Sequence, residues 1–385
     1  MIAAAAPPGF VPAAFDGARL VADLEATLDA LPGAMAFGRE VAPRIDRVVF
    51  LACGSPNRAM RGLQYWIERF SPTLEVRRHF PAEFVAQDAP RLDARTLVVL
   101  GSKSGTTPET VAAAEFLKDK PCITVAITQS ASSPLASLAR HVFLIGETPE
   151  SFLGMAMIAQ ALVGGLLAGR DGWPHEAALL ASLRALPGAL ADAATSADAR
   201  GVANALALRE DHVVYLLASG PCFTNAYVFG VCILMEMLWM HACPIEAAEF
   251  FHGPFEVVRR DTPLVVILGE DPSRPLAERA LRFCEKQSDR VFAYDSRELA
   301  MPGIAPEMRP LLAPPTPRQP AERPAADDPR EQPEGVVRRP LNATVPVRAR
   351  LDLGATPGTG SHRARIRMRH PCRPSPHADR ALPAQ

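Results

Sequence analysis

Short, fully apolar runs alternate with amphipathic stretches along most of this chain. Leu20, Leu24, Leu28 and Leu31 recur at helical spacing and predict a leading helix over residues 18–31. Residues 47–54 then form an apolar run ending in Gly54, the mark of a strand buried on both faces. The same signals predict a helix over 58–70, strands over 74–78 and 96–100, a helix over 109–118, and strands over 123–128 and 142–145. Strand and helix in alternation predict a doubly wound parallel sheet. The pattern restarts with helices over 152–168 and 176–193, a strand over 212–218 ending in Ser219-Gly220-Pro221, and a helix over 225–241. A strand over 264–268, a helix over 275–287 and a strand over 291–294 complete it. The expected architecture is therefore α/β: a helical segment 1–44, then two three-layer, flavodoxin-like units at 45–170 and 171–313, an arrangement that suggests internal duplication.

Length and composition agree with two units. The chain has 385 residues, 48% of them hydrophobic, enough for a large core. Its formal charge of −1 argues against a protein devoted to nucleic acid or to membrane surfaces. The long apolar stretch 152–169 is rich in Gly and Ala and suits a core helix better than a membrane span. Residues 1–14 lack the basic start of a secretion signal. The seven cysteines, Cys53, Cys122, Cys222, Cys232, Cys243, Cys284 and Cys372, show neither paired nor zinc-type spacing and read as reduced thiols of a cytoplasmic protein.

The end of the chain has a different character. No aromatic residue follows Tyr294 and no lysine follows Lys286. From about Pro314 the composition turns to Pro, Arg, Ala, Gly and Thr. Residues 314–385 read either as a natural disordered tail or as a GC-rich gene translated out of frame, and no fold is assigned to them.

The most informative segment is Ser102-Lys103-Ser104-Gly105-Thr106-Thr107-Pro108-Glu109-Thr110, between an apolar strand and a helix. Such a turn gathers free backbone N–H groups at the positive end of a helix dipole, a setting for phosphate. Ser102, Ser104 and Thr107 add hydroxyl donors, and Gly105 permits a tight turn. Hydroxyls and amides with little formal charge suit a sugar phosphate better than a nucleoside triphosphate. Neither a Walker loop nor a G-x-G-x-x-G fingerprint is present. The plain alternative is a hydroxyl-rich turn that only caps a helix.

Two further residues stand out. Glu236 interrupts the apolar run Val231-Cys-Ile-Leu-Met-Glu-Met-Leu-Trp-Met240. A carboxylate buried there would be costly; it either lies on the helix's open edge, pairs with an arginine, or serves as a base of raised pKa. His252 is presented by the sharp His-Gly-Pro turn of Glu249-Phe-Phe-His252-Gly-Pro-Phe-Glu256, and imidazole titrates where proton transfer is easy.

Together these motifs are similar to the SIS (sugar isomerase) family. Ala52-Cys53-Gly54-Ser55, the Ser/Thr loop and Ser132-Ser133-Pro134-Leu135-Ala136 resemble its domain, as found in the isomerase half of glucosamine-6-phosphate synthase and in fructosamine-6-phosphate deglycases. The resemblance implies that Ser102, Ser104 and Thr107, with backbone from Lys103 and Gly105, hold a substrate phosphate, and that Gly54 and Ser55 line the site. Where the family often has Ser this chain has Pro56. The stretch Glu249–Glu256 and Glu236, sixteen residues before His252, resemble the deglycase branch. There the Glu is the general base and the His the general acid, with Glu249 and Glu256 as weaker candidates for orienting His252 or meeting the substrate amine. The implied reaction splits a 6-phosphofructosyl amino acid into glucose 6-phosphate and an amino acid, with no cofactor or metal, in a homodimer whose His252 serves the partner's site. Two alternatives are an isomerase or aminotransferase of the glucosamine-6-phosphate synthase type and a non-catalytic sugar-phosphate sensor. The first is disfavoured because its family carries an N-terminal cysteine nucleophile, a Lys one turn before the Glu where this chain has Ile233, and a lysine near the C-terminus. The second is disfavoured by the presence of both Glu236 and His252. The arginine-rich tail gives only a weak reason to expect nucleic acid as a partner.

Overall fold

The computed structural model describes residues 15–88 and 92–312. The readings for 1–14, Cys372 and 314–385 lie outside them. Helices α1 (Gly17–Ala22) and α2 (Glu25–Val41) lead into β1 (Arg47–Ala52), α3 (Gly54–Phe70), β2 (Glu75–His79), α4 (Pro81–Gln87) and β3 (Thr96–Gly101). Next come α5 (Pro108–Leu117), β4 (Ile123–Thr128), α6 (Pro134–Leu138), β5 (His141–Leu144), α7 (Ser151–Asp171) and α8 (Glu176–Leu208). The second half holds β6 (Val213–Ala218), α9 (Phe223–Tyr227), β7 (His241–Glu246), β8 (Leu264–Leu268), α10 (Arg274–Gln287) and β9 (Val291–Asp295).

The first sheet is parallel throughout, in the order β2-β1-β3-β4-β5. The second is also parallel, in the order β7-β6-β8-β9. The two orders match strand for strand over four strands, which is the duplication the sequence suggested. Even the first turn repeats. Gly54 after β1 has φ 57° and Gly220 after β6 has φ 53°, a left-handed conformation that glycine adopts without strain.

Burial explains why the central strands are apolar from end to end. Every residue of β3 and β8 is buried, because helices cover both faces. On one face of the first sheet, Val48, Phe50, Leu97, Val99 and Val125 pack with α2, α3, α7 and the first half of α8. Met301, Ile304, Met308, Leu311 and Leu312 return to this same cluster. On the other face, Val98, Leu100 and Ala126 pack against Phe84, Ala113, Leu117 and Leu135. The helices α7 and α8 are long and apolar enough to cross a membrane by length and composition, but α7 is packed within the core of the first half.

Three expectations are corrected. The leading helix breaks in two around Asp23 and Leu24, and α8 runs on to Leu208. The predicted helix over 225–241 ends early: its last part, Val228–Met237, is wound wider as a π-helix, Trp239 has φ 57°, and the chain then forms β7. The run His241-Ala-Cys-Pro-Ile-Glu246 carries one β-branched residue and a proline, so it gives little strand signal. It is tolerated because β7 is an edge strand.

Candidate functional site

Order β2-β1-β3 reverses the direction of chain progression between β1 and β3. This is the crevice in which open α/β sheets take ligands. Two turns meet there: the β1–α3 turn with Gly54 and Ser55, and the β3–α5 loop with residues 102–107. They pack closely, since a Cβ on Gly101 would lie 3.2 Å from the Pro56 Cβ and 2.9 Å from the Met60 Cε.

The β3–α5 loop is braced from below. Ser102 is buried; its hydroxyl lies 2.8 Å from the Thr107 hydroxyl and accepts from the Gly105 N–H at 3.1 Å. The Ser104 hydroxyl lies 2.7 Å from that of Thr106 and accepts from the Thr106 N–H. The Lys103 carbonyl accepts from the Gln129 N–H and the Thr128 hydroxyl, and the Gly105 carbonyl from the Leu135 N–H. Gly105 has φ 65°, and a Cβ there would sit 2.2 Å from the Ser133 Oγ. The loop thus needs glycine twice over, for backbone and for space. Thr107 caps α5 without using its side chain on the first-turn amides, which leaves those N–H groups available. Lys103 and Ser104 are exposed and Thr107 is half-buried.

The equivalent loop of the second half is already filled. After β8 come Gly269, Glu270 and Asp271. Arg309 grips Glu270 at 2.7 Å, and Asp271 accepts from the Ser273 N–H and the Tyr65 hydroxyl. Two carboxylates with partners of their own thus stand where the first half has hydroxyls and free loop amides.

Helix α3 is the bridge between the halves. The Thr224 hydroxyl donates to the Arg58 carbonyl at 2.9 Å, Arg61 pairs with Glu246 at 2.9 Å, and Tyr65 reaches Asp271 at 3.2 Å. Above β1 and β2, three guanidinium groups converge. Arg78 donates to the Asn57 side chain, Arg61 stacks on Phe223 at 4.9 Å, and Arg58 stacks on Tyr227 at 3.7 Å. Burial, then the charges of Arg58 and Arg61, pull the Arg78 pKa down to about 10 against the opposing pull of Glu246. Sequence reasoning missed this cluster. Its one signal was the charged run Glu75-Val-Arg-Arg-His79 in a strand of an otherwise apolar sheet.

Glu236 is exposed near the end of the π-wound segment, flanked by the exposed Met235, Met237 and Trp239. It occupies the open edge that the sequence offered as one alternative. Burial, then the Glu236 carboxylate, push the Cys232 thiol up to about 11, while Arg58 opposes them. Cys232 therefore feels both Glu236 and Arg58. His252 is exposed, on a turn where its N–H donates to the Glu249 carbonyl at 2.9 Å and Gly253 takes φ 131°. Glu249 and Glu256 are exposed, and the link from Glu249 to His252 is through backbone. Within one copy of the chain the hydroxyl loop, Gly54 and Ser55 share the crevice, while Glu236 lies on the second half, where it and Arg58 both act on Cys232. Among the described residues no group of three or more His, Cys, Asp and Glu side chains is arranged to hold a metal.

Comparison with known proteins shows which family the chain resembles. The SIS-domain family model matches residues 44–168. An agropine synthesis conjugase from Rhizobium rhizogenes is 34% identical over 79% of this chain and 88% of that protein. The fructosamine deglycase FrlB of Bacillus subtilis is 34% identical over 70% of this chain and 83% of its own length. A solved structure from Bacillus subtilis, given the provisional name phosphosugar isomerase, superposes with a TM-score of 0.69 at 30% identity over 77% of this chain and 90% of its own.

Proposed function

Because the chain belongs to the SIS-domain family, we propose that it is a sugar-processing enzyme whose Ser/Thr loop holds the phosphate of a 6-phosphofructosyl amino acid and whose reaction releases glucose 6-phosphate and the amino acid. The observation that carries this reading is the asymmetry of the duplicated fold. The first half keeps a hydroxyl- and amide-rich loop on a helix start, while the second half fills the same place with Glu270 and Asp271. Deglycase-named relatives at 34% and 31% identity support the substrate class.

Ser102, Ser104 and Thr107, with the amides of the loop and of the α5 start, seat the phosphate. This fixes the open-chain sugar with C1 and C2 toward the second half. Glu236 takes the proton from C1 of the ketoamine, and the electron pair forms the C1=C2 bond of an enolamine. His252 donates to the C2 oxygen as charge develops there. Return of a proton to C2 gives the C1=N imine. Water adds across that bond, the C–N bond breaks, and the amine leaves protonated with the aldose phosphate as the other product. Proton transfers of this kind contribute roughly 10²–10⁴-fold each.

The same steps run backward join an amino acid to glucose 6-phosphate. The conjugase-named relative, matched over 88% of its length, supports that second direction. Concentrations, not different residues, would decide between them.

The exposed Met235 (41%), Met237 (57%) and Trp239 (53%) around Glu236 are an apolar rim that water does not favour. We read it as the face covered by a second copy, whose His252 completes the site. The six described cysteines are free, three of them buried and three half-buried, which suits a reducing cytoplasm.

The test is a coupled assay of glucose 6-phosphate release from 6-phosphofructosyl-lysine and 6-phosphofructosyl-asparagine. Wild type should release it, and Glu236→Gln and His252→Ala should each lose at least about a hundredfold in kcat. Mixing the two variants should restore part of the activity if His252 acts across copies. A folded wild type that binds fructose 6-phosphate yet releases nothing from either compound would refute the deglycase reading and favour a sensor.

A further inference from the structure

We propose that Arg58, Arg61 and Arg78 form the seat for the α-carboxylate of the amino acid joined to the sugar, so that this enzyme selects amino-acid conjugates over conjugates of neutral amines. The inference rests on the deglycase reading and deepens it.

Three arginines lie together, and the carboxylate paired with them, Glu246, is taken up by Arg61. Arg78 makes one side-chain hydrogen bond, to Asn57, and its Nε is buried without a partner. Arg58 is engaged by the rings of Tyr227 and Phe80, and its Nε is likewise buried and unpartnered. Unsatisfied buried donors are uncommon and costly. Like charges brought together in a half-buried place are costly as well. An anion with several acceptor oxygens relieves both, and a carboxylate matches the guanidinium fork.

Position identifies which anion. The phosphate loop ends β3, while Arg78 lies on β2, the next strand but one; the separation across the sheet is roughly 10 Å. An open-chain ketose phosphate with an amino acid on C1 spans such a gap, phosphate at one end and α-carboxylate at the other. With the phosphate on the loop and the carboxylate on the arginines, the chain of the ligand itself puts the reacting carbons C1 and C2 between the two seats. Rings of Tyr227 and Phe80 hold the Arg58 guanidinium in place without consuming its hydrogen-bond capacity.

The experiment uses a matched pair: 6-phosphofructosyl-asparagine and the same compound with its α-carboxylate converted to the primary amide. Wild type should favour the carboxylate by about tenfold or more in kcat/KM, the size of one charge-assisted hydrogen bond. In Arg78→Gln and in Arg58→Gln the preference should shrink to about twofold or less, and Arg78→Lys should keep part of it. Affinity for glucose 6-phosphate reports that each variant is folded; Arg58→Gln serves if Arg78→Gln is not. Equal use of both compounds by wild type, or equal loss on both in the variants, would overturn the proposal. If wild type turns over neither compound, the deglycase reading fails, and calorimetric binding of the same pair decides this one. Tighter binding of the carboxylate that disappears in Arg78→Gln supports the arginine seat, and equal binding refutes it.

Discussion

Gly105→Ala offers a sharp test of the loop's construction. The backbone there has φ 65°, which costs an alanine about 1–2 kcal/mol relative to glycine. The added Cβ would also lie 2.2 Å from the Ser133 Oγ, 2.4 Å from the Ser133 Cβ and 2.9 Å from the Thr128 Oγ1. No real Cβ tolerates these distances, so Ser133 has to move. Its hydroxyl accepts from the Ala136 N–H and caps α6, and losing that cap costs about 1 kcal/mol. Together the loss is about 2–3 kcal/mol, or roughly 5 °C in Tm for a chain of this size. The hydroxyls of Ser102 and Thr107 would be displaced with the loop, so KM for a phosphorylated substrate should rise about tenfold or more. Thermal unfolding followed by circular dichroism and a steady-state KM measure the two effects. Adding Ser133→Gly should relieve the contacts with Ser133 but neither the approach to the Thr128 Oγ1 nor the backbone strain, leaving part of the loss. A Gly105→Ala protein with wild-type Tm and wild-type KM would refute the reasoning.

Other outcomes follow from the same structure. Arg274 is 7% exposed and holds Asp295 and Glu278, so Arg274→Met should cost about 3 kcal/mol in urea unfolding by stranding Asp295. The hydrogen bond from Arg274, the largest influence, holds the Asp295 pKa below its usual 3.8. Its stabilisation is therefore complete above that value and fades as pH falls through the lower, folded-state pKa, so Asp295→Asn should flatten the acid limb of the stability curve. Burial first of all pushes Cys222 and Cys284 up to about 12, so both thiols should resist alkylation at pH 8 until the protein unfolds. Tyr65→Phe removes the bond to Asp271 across the two halves and should cost about 1 kcal/mol.

Much of this was legible in the sequence because the governing signals are local. The strands β3, β4 and β8 are short apolar runs that parallel sheets demand, and their limits fall within a residue of those expected. The loop at 102–107 carries its chemistry in consecutive letters. What stayed hidden depends on tertiary contact. The strand β7 reads as a continuation of a helix, and only pairing beside β6 explains it. Arg58 and Arg78 are twenty positions apart on a helix and a strand, and nothing in the letters says that parallel pairing of β1 with β2 brings them together. Exposure of Glu236 was likewise undecidable, because an apolar helix buries a carboxylate or presents it according to what packs against it.

The claim at the centre of this account is that the residues at 102–107 hold a substrate phosphate. It is tested most directly by comparing kcat/KM for 6-phosphofructosyl-asparagine and for unphosphorylated fructosyl-asparagine in wild type and in the Ser102→Ala, Thr107→Val double variant. The account predicts a strong wild-type preference for the phosphorylated compound that falls by about a hundredfold or more in the variant, while the poor activity on the unphosphorylated one changes little, as expected for two lost hydrogen bonds to a charged group. A variant that keeps the wild-type preference would contradict it.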